Sequence, residues 1–346
     1  MSRVNRLYRL RKRPAGALAE GDLEFLEEPV PELAEGQALV RTLYLSLDPT
    51  NRLWMSDVRG YMPQVPLGAV NRGVGICEVV ESRRQDFPEG AMVVGFPGWQ
   101  EYCVADDAQL EIPFTVLPDP LPAPLTTFLG VLGHTGLTAY VGMDIGQPQP
   151  GETVVVSAAA GATGSVAGQI AKARGARVVG IAGGQAKCDH VVKDLGFDAC
   201  VDYKAPDWRD QLDRATVDGV DVDFENVGGV IMDHVLMRLN VGARVALCGM
   251  ISQYNNLGTK EDWQGQLNVH QILMQRATMQ GFLVLDHFDR YMEAVGYLAG
   301  LMAEGKLVYD ETIVDGLENA VTAYNQLYSG ANMGKLLIRV TEPATN

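Results

Sequence analysis

The hydrophobic rhythm of the 346-residue chain changes twice. From residue 1 to about 130, short β-rich runs are broken by proline and glycine. Residues 37–47 (QALVRTLYLSL) follow Pro29, Pro31 and Gly36, and 75–80, 91–95 and 100–105 repeat the pattern, with turns at Pro88-Glu89-Gly90 and Pro97-Gly98. Short strands at this spacing predict a small, barrel-like all-β unit. Near Gly133 the pattern shifts. Residues 137–143 have helical periodicity, and Pro148, Pro150 and Gly151 make a loop; apolar strands then alternate with amphipathic helices. Strands are predicted over 153–157, 177–181, 199–201, 222–225, 244–249 and 278–285, and helices over 165–174, 187–195, 207–214, 230–239 and 263–276. Six strands in such alternation imply a doubly wound parallel sheet. The last stretch reads as a long helix over 288–304, a strand over 312–314, a helix over 317–327 and a strand over 335–340. This tail is expected to rejoin the N-terminal β unit.

Composition narrows the class. Apolar residues make up 47% and charged residues 21%, as in ordinary globular proteins. No run of 18 or more apolar residues is present, so no membrane span is expected. Basic residues crowd the start (Arg3, Arg6, Arg9, Arg11, Lys12, Arg13), but no apolar segment follows, and a secretory signal is not expected. The net charge of -15 argues against a nucleic-acid partner. It also means that an anionic ligand must be drawn in by a local device, not by the global field. The five cysteines are scattered and never form C-x-x-C, which fits a reduced, cytoplasmic setting and gives no structural zinc site.

The local device follows the first predicted strand of the alternating region. Ser157-Ala158-Ala159-Ala160-Gly161-Ala162-Thr163-Gly164-Ser165 aligns on G-x-G-x-x-G as Ala159-x-Gly161-x-x-Gly164. It follows a strand, opens a helix and starts a βαβ series, the context in which this weak pattern has meaning. Gly161 lets backbone approach a pyrophosphate, Gly164 and Gly168 let helix and sheet pack closely, and the helix N-terminus supplies N–H groups and partial positive charge. The second strand selects the cofactor. A site for NAD ends that strand with an acid that accepts from the ribose 2′-hydroxyl. Here it runs into Gly180-Ile181-Ala182-Gly183-Gly184-Gln185-Ala186-Lys187, with no acid. Gly183 and Gly184 leave room and Lys187 adds a cation, so NADP(H) is favoured.

The five histidines (His134, His190, His234, His270, His287) make no ligand cluster with the cysteines, and no metal site is expected. Without a Lewis acid, hydride addition to a conjugated C=C is easier than reduction of an isolated carbonyl, because charge delocalises into an enolate that hydrogen-bond donors stabilise. Tyr254 is the best donor. It lies in Cys248-Gly249-Met250-Ile251-Ser252-Gln253-Tyr254-Asn255, past the carboxyl end of the fifth strand, where ligands bind in open α/β sheets. Its phenol is protonated at neutral pH. Tyr61, in Arg59-Gly60-Tyr61-Met62-Pro63, is a second candidate, at the substrate mouth.

Several runs carry a family resemblance over nearly the whole chain. They are Leu43-Tyr44-Leu45-Ser46-Leu47-Asp48-Pro49, the GVLGxxGLTAY-like run over 130–140, Asp144-Ile145-Gly146, AAAGATGSVAGQIAK, Glu225-Asn226-Val227-Gly228-Gly229, Cys248 through Asn255, Gly281-Phe282 and Gly330-Ala331-Asn332-Met333-Gly334-Lys335. In these the chain resembles the zinc-independent leukotriene B4 12-hydroxydehydrogenase/prostaglandin reductase branch of the medium-chain dehydrogenase/reductases, most of all the bacterial curcumin reductases and plant double-bond reductases. The resemblance implies a GroES-like catalytic domain over 1–130, a Rossmann NADP-binding domain over 131–304 and a return to the catalytic domain over 305–346. It implies cofactor contacts from Gly161, Ala162, Thr163, Gly164, Gly183, Lys187, Tyr203, Asn226, Cys248, Gly249, Ser252, Tyr254, Phe282, Val284 and Asn332, and a homodimer commonly joined through the last nucleotide-domain strand. Where the family often has GMPG, this chain has Gly133-His134-Thr135-Gly136.

The leading expectation is an ene-reductase that uses NADPH on an α,β-unsaturated ketone or aldehyde. Quinone reduction by the same cofactor and a non-catalytic NADPH-binding role are the alternatives. Substrate size is expected to depend on the loops over 50–66 and 255–266.

Overall fold

The computed structural model describes residues 3–106, 112–256 and 267–342. The basic N-terminal run is a strand. β1 (Val4–Leu10) buries Asn5, Leu7, Tyr8 and Leu10, leaves Arg6 and Arg9 partly covered, and pairs antiparallel with the acidic β2 (Leu23–Pro29). The crowded arginines meet its carboxylates: Arg9 pairs with Glu28 at 2.7 Å and Arg11 with Glu24. β3 (Ala38–Ser46) is followed by a short helix, α1 (Thr50–Trp54), and by β4 (Gly75–Ser82), β5 (Met92–Gly95), β6 (Tyr102–Ala105) and β7 (Thr115–Val116). A 3-10 turn, Leu125–Leu129, leads into α2 (His134–Gly146) and the second half of the molecule.

That half runs β8 (Thr153–Ser157), α3 (Ala162–Ala173), β9 (Arg177–Ala182), α4 (Gln185–Lys193), β10 (Ala199–Asp202), α5 (Trp208–Ala215), β11 (Val220–Glu225), α6 (Gly229–Leu236), β12 (Leu239–Leu247), α7 (Ile251–Tyr254), α8 (His270–Met274), β13 (Thr278–Gly281) and α9 (Tyr291–Ala303). The six strands lie side by side in the order β10-β9-β8-β11-β12-β13, every pair parallel. The order reverses direction between β8 and β11, and their carboxyl ends open the crevice in which such sheets bind ligands. β8 is buried at every position, as expected of a central parallel strand covered on both faces. One face packs under α2, α3 and α9, the other under α5 and α6.

The tail supplies β14 (Glu311–Asp315), α10 (Ala320–Ser329) and β15 (Lys335–Arg339). β14 and β15 extend the first half's sheet, ordered β14-β15-β3-β4-β5-β7, with β6 also on β3. Several boundaries differ from the sequence reading, most of all these. The helix expected over 230–239 stops at Leu236, and β12 starts at Leu239 with a register shift against β11 between Val220 and Val222. The strand expected over 278–285 ends at Gly281, and the following helix begins only at Tyr291. Between them lies a 3-10 segment, Val284–Arg290, kinked at His287 (φ -129°, ψ 18°). Of the helix expected over 263–276, residues 263–266 lie outside the described residues. The remainder is the 3-10 turn Leu267–Val269 followed by α8.

Candidate functional site

A cleft of about 860 Å³ runs between the two sheets. Every residue expected to touch cofactor or substrate borders it: Gly161, Ala162, Thr163, Gly164, Gly183, Lys187, Tyr203, Asn226, Cys248, Gly249, Ser252, Tyr254, Phe282, Val284, Asn332 and Tyr61. Part of the loop over 255–266, expected to set substrate size, lies outside the described residues.

The β8–α3 turn is built for close approach. Ala158 adopts a left-handed conformation (φ 52°), Gly161 caps α3, and a Cβ on Gly164 would stand 2.4 Å from the Ala158 carbonyl oxygen. Only glycine fits at 164. The fingerprint's first glycine is Ala159 here because its methyl group lies over Gly180 of the neighbouring strand, where a Cβ would come within 2.8 Å. The tail closes the loop's other side: Gly334 N–H donates to the Ala160 carbonyl at 2.9 Å, and Asn332 Nδ2 donates to the Gly334 carbonyl at 3.1 Å.

At the end of β9 the side chains of Lys187, Tyr203 and Lys204 converge around Gly330. A Cβ on that glycine would lie 3.9 Å from both lysine Nζ atoms and 3.8 Å from the Tyr203 hydroxyl. A Cβ on Gly183 would strike the Tyr203 ring at 2.8 Å. Burial first, and the like charge of Lys204 second, push the Lys187 pKa down. Among the described residues Lys187 makes no ion pair, and the Lys204 side chain donates from Nζ to the Ser329 carbonyl at 3.3 Å. A partly covered Lys187 ammonium and the exposed Lys204 ammonium beside it, with no carboxylate paired to either among the described residues, fit a ligand that brings its own negative charge, as a 2′-phosphate does. Lys204 was missed in the sequence, although it adjoins Tyr203 past the third strand.

The carboxyl ends of β8 and β11 are tied by a buried network. Ser157 Oγ donates to Glu225 Oε1 at 2.7 Å, Asn226 N–H donates to Ser157 Oγ at 2.7 Å, and Asn226 Nδ2 donates to the Ser157 carbonyl at 2.7 Å. Glu225 Oε1 also accepts from the Val227 and Gly228 N–H groups, the latter at 2.8 Å. The 248–254 segment is fastened to this network: Ser252 Oγ donates to the Val227 carbonyl at 2.6 Å and Ile251 N–H to the Asn226 carbonyl at 3.1 Å. Glu225 therefore shapes the site without lining it, a role its place before Asn-Val-Gly-Gly did not reveal.

Within that segment the Tyr254 ring folds back over its own loop. Its hydroxyl oxygen accepts the Met250 N–H at 3.0 Å and sits 3.2 Å from where a Cβ on Gly249 would be. The acceptor side is engaged and the O–H proton is left to give. Burial, partly countered by the Met250 bond, pushes the phenol up to about 12, so it is protonated at neutral pH. Tyr61 stands at the mouth, 38% exposed, its hydroxyl bonded to Thr50 Oγ1, and burial raises its pKa. Phe282 makes an edge contact with Phe224 at 6.4 Å between centroids and, with Val284, gives the cleft an apolar wall.

A further cluster borders the cleft at the junction of the two halves. Asp48 Oδ1 accepts from Lys335 Nζ at 2.6 Å and from His134 Nε2 at 3.2 Å, and Asp48 Oδ2 accepts from Ser46 Oγ. Burial opposes ionisation of Asp48, but Lys335 and His134 hold its carboxyl well below the usual range. His134 thus adds a hydrogen-bond contact to the Asp48–Lys335 ion pair. Among the described residues no three His, Cys, Asp or Glu side chains come together that could hold a metal.

Residues 6–112 match the family model described as the N-terminal domain of oxidoreductase, and 162–299 the one described as zinc-binding dehydrogenase. An NADPH-dependent curcumin reductase of Escherichia coli is 43% identical, covering 97% of each chain. An NADP-dependent 2-alkenal reductase of Nicotiana tabacum is 38% identical over 97% of this chain and 98% of its own. Among solved structures, CurA from Vibrio vulnificus in complex with NADPH superimposes with a TM-score of 0.92 at 40% identity, over 98% of this chain and all of the other (100%). With this similarity along its whole length, the chain belongs to the medium-chain dehydrogenase/reductase superfamily, in the zinc-independent branch of the curcumin, alkenal and prostaglandin reductases.

Proposed function

We propose that the protein reduces the C=C bond of α,β-unsaturated ketones and aldehydes with NADPH. The observation that carries this reading is Tyr254: a protonated phenol, its oxygen already engaged by Met250, on the same cleft as the β8–α3 turn and the two-lysine corner. NADPH supplies hydride for the β-carbon when bound. The chain holds it through the backbone of 161–164, through Lys187, Tyr203 and Lys204 at the phosphate, and through Asn226, the 248–254 segment and Asn332 along the cleft. Tyr254 donates a hydrogen bond to the substrate carbonyl oxygen, where charge develops as the β-carbon is attacked. Phe282 and Val284 exclude water from the reacting end, which strengthens that hydrogen bond. Tyr61 and Thr50 hold the substrate at the mouth.

We also propose the division into 1–130, 131–304 and 305–346, a cytoplasmic location and a homodimer. Free thiols at all five cysteines support the location. The dimer is supported by β13, an unpaired edge of the parallel sheet, and by apolar side chains beside it: Leu273 is 75% exposed, Met274 56% and Met292 74%. Edge pairing between two copies would cover them. The reaction is tested by NADPH oxidation with a panel of alkenals, aryl enones, quinones and saturated ketones. Turnover of enones and enals with the saturated carbonyl as product is expected. Turnover of quinones alone would move the assignment to a quinone reductase, and no turnover would leave a binding protein.

A further inference from the structure

Cys188 and Cys200, 12 residues apart on consecutive elements, meet in space. Cys188 is the fourth residue of α4, 4% exposed, and Cys200 the second residue of β10, partly covered. Their sulfur atoms are 2.8 Å apart. Sulfurs that are bonded lie at about 2.05 Å, so less than 1 Å of travel separates this pair from a disulfide. Among the described residues the other three thiols have no such partner: Cys77 Sγ donates to Thr42 Oγ1 at 3.8 Å, Cys103 Sγ to the Val104 carbonyl at 3.5 Å, and Cys248 borders the cleft alone.

The position of the pair matters as much as its spacing. Cys188 follows Lys187 directly, and Cys200 is three residues before Tyr203. The two sulfurs therefore join the bases of the two elements whose tips form the phosphate corner. Asp202 makes a second connection between them, accepting from the Gly184 and Lys204 N–H groups at 2.7 and 2.9 Å. Drawing α4 toward β10 narrows the gap between Lys187 and the Tyr203–Lys204 turn.

We propose that Cys188 and Cys200 form a redox-active dithiol, closed to an intramolecular disulfide by peroxide-class oxidants, and that closing it weakens NADPH binding at the adjoining phosphate corner. The second half rests on the cofactor reading above. The reaction balances in two displacements. The Cys188 thiolate attacks a peroxide oxygen, so that an S–O bond forms, the O–O bond breaks, and hydroxide leaves to take up a proton as water. The Cys200 sulfur then attacks the Cys188 sulfenic acid; the S–S bond forms, the S–O bond breaks, and a second water leaves with the Cys200 proton. Two electrons pass from the thiols to the peroxide. The order follows from the hydrogen bond: Cys200 Sγ donates to Cys188 Sγ at 2.8 Å, which favours the thiolate at Cys188, so Cys188 attacks and Cys200 resolves.

The test uses the full-length chain, reduced, freed of reductant, treated with hydrogen peroxide and capped with N-ethylmaleimide. Peptide mapping should find the Cys188 and Cys200 peptides joined and lighter by two hydrogens. Dithiothreitol should release them, and Cys200→Ser, or Cys200→Ala if the hydroxyl disturbs packing, should lack the product. Both thiols capped singly after peroxide, or each driven separately to a sulfinic acid, would overturn the dithiol. NADPH titration should show the oxidised chain binding about fivefold more weakly or worse, reversed by dithiothreitol, with NADPH slowing closure in return, because coupling is reciprocal. A closed disulfide with unchanged NADPH affinity would overturn the coupling. Failure of the reduced chain to bind NADPH would instead overturn the cofactor reading, since the peptide map needs no cofactor.

Discussion

Asp223 and Glu225 stand two residues apart on the central strand β11, both fully buried, and they differ in how they are satisfied. Glu225 Oε1 accepts three donors within hydrogen-bond range, whereas neither oxygen of Asp223 has a partner among the described residues. Burial, and then the neighbouring Glu225 carboxyl, push the Asp223 pKa well up. A carboxyl whose folded pKa lies above its unfolded one favours the fold most below the unfolded value, near 3.9, and stability is lost as pH rises from there toward the folded value. Asp223→Val should therefore raise stability at neutral pH by about 1–3 kcal/mol and flatten its fall between mildly acid and neutral pH. Urea midpoints of both proteins across that range check this, and a less stable valine variant contradicts it. Tyr254 is the functional counterpart at this scale. Losing one preorganised donor typically costs about 10²–10³ in rate, so Tyr254→Phe should lower kcat by that factor at saturating NADPH. A raised KM for NADPH with unchanged kcat would make Tyr254 a cofactor-positioning residue.

Among the elements, the α4 N-terminus is where we propose that the cofactor is chosen. On that reading Gly183 and Gly184 leave the ribose corner open, and Lys187 places a cation there in an otherwise acidic protein. Lys187→Glu puts a carboxylate beside the 2′-phosphate and should weaken NADPH far more than NADH. Equal loss for both cofactors, or a wild type that binds them equally, contradicts this reading of the second strand. This corner was half legible in the sequence. The missing acid after β9 and the presence of Lys187 are local signals, but Lys204 arrives from another turn and only the parallel register of β10 on β9 brings it close. The six parallel strands were legible because each is a short apolar run between turn residues. β1 and β2 were not individually legible, since their arginines and glutamates read as plain charge until the strands pair. The end of β13 was missed because Phe282 through Leu285 continues the apolar run, although the backbone there turns into a 3-10 segment beside the cleft. Asp48 and Lys335 lie 287 positions apart, and no local pattern announces such a pair.

For the whole molecule, that pair fastens the last strand of the chain to the first sheet beside the cleft. Both partners are buried, and removing one leaves the other's charge without its main partner, which typically costs about 3–5 kcal/mol. Lys335→Met should destabilise the protein by that order. The wild type should lose the contribution on acidification, because a carboxyl held below its usual range stabilises the fold above its unfolded pKa and stops doing so as pH falls through its folded pKa. Thermal unfolding of variant and wild type checks it; equal midpoints contradict a structural role for the pair. The arrangement as a whole — a dinucleotide turn, a phosphate corner and a protonated phenol on one cleft — is suited to hydride delivery from NADPH to carbon beside a carbonyl that is kept. The most direct measurement uses NADPH deuterated at the transferred position with an aryl enone, and the product is read by NMR. The account predicts deuterium on the β-carbon, an intact carbonyl and one NADPH consumed per double bond. Deuterium on the carbonyl carbon of an alcohol, or a double bond left untouched while NADPH is consumed, would contradict it.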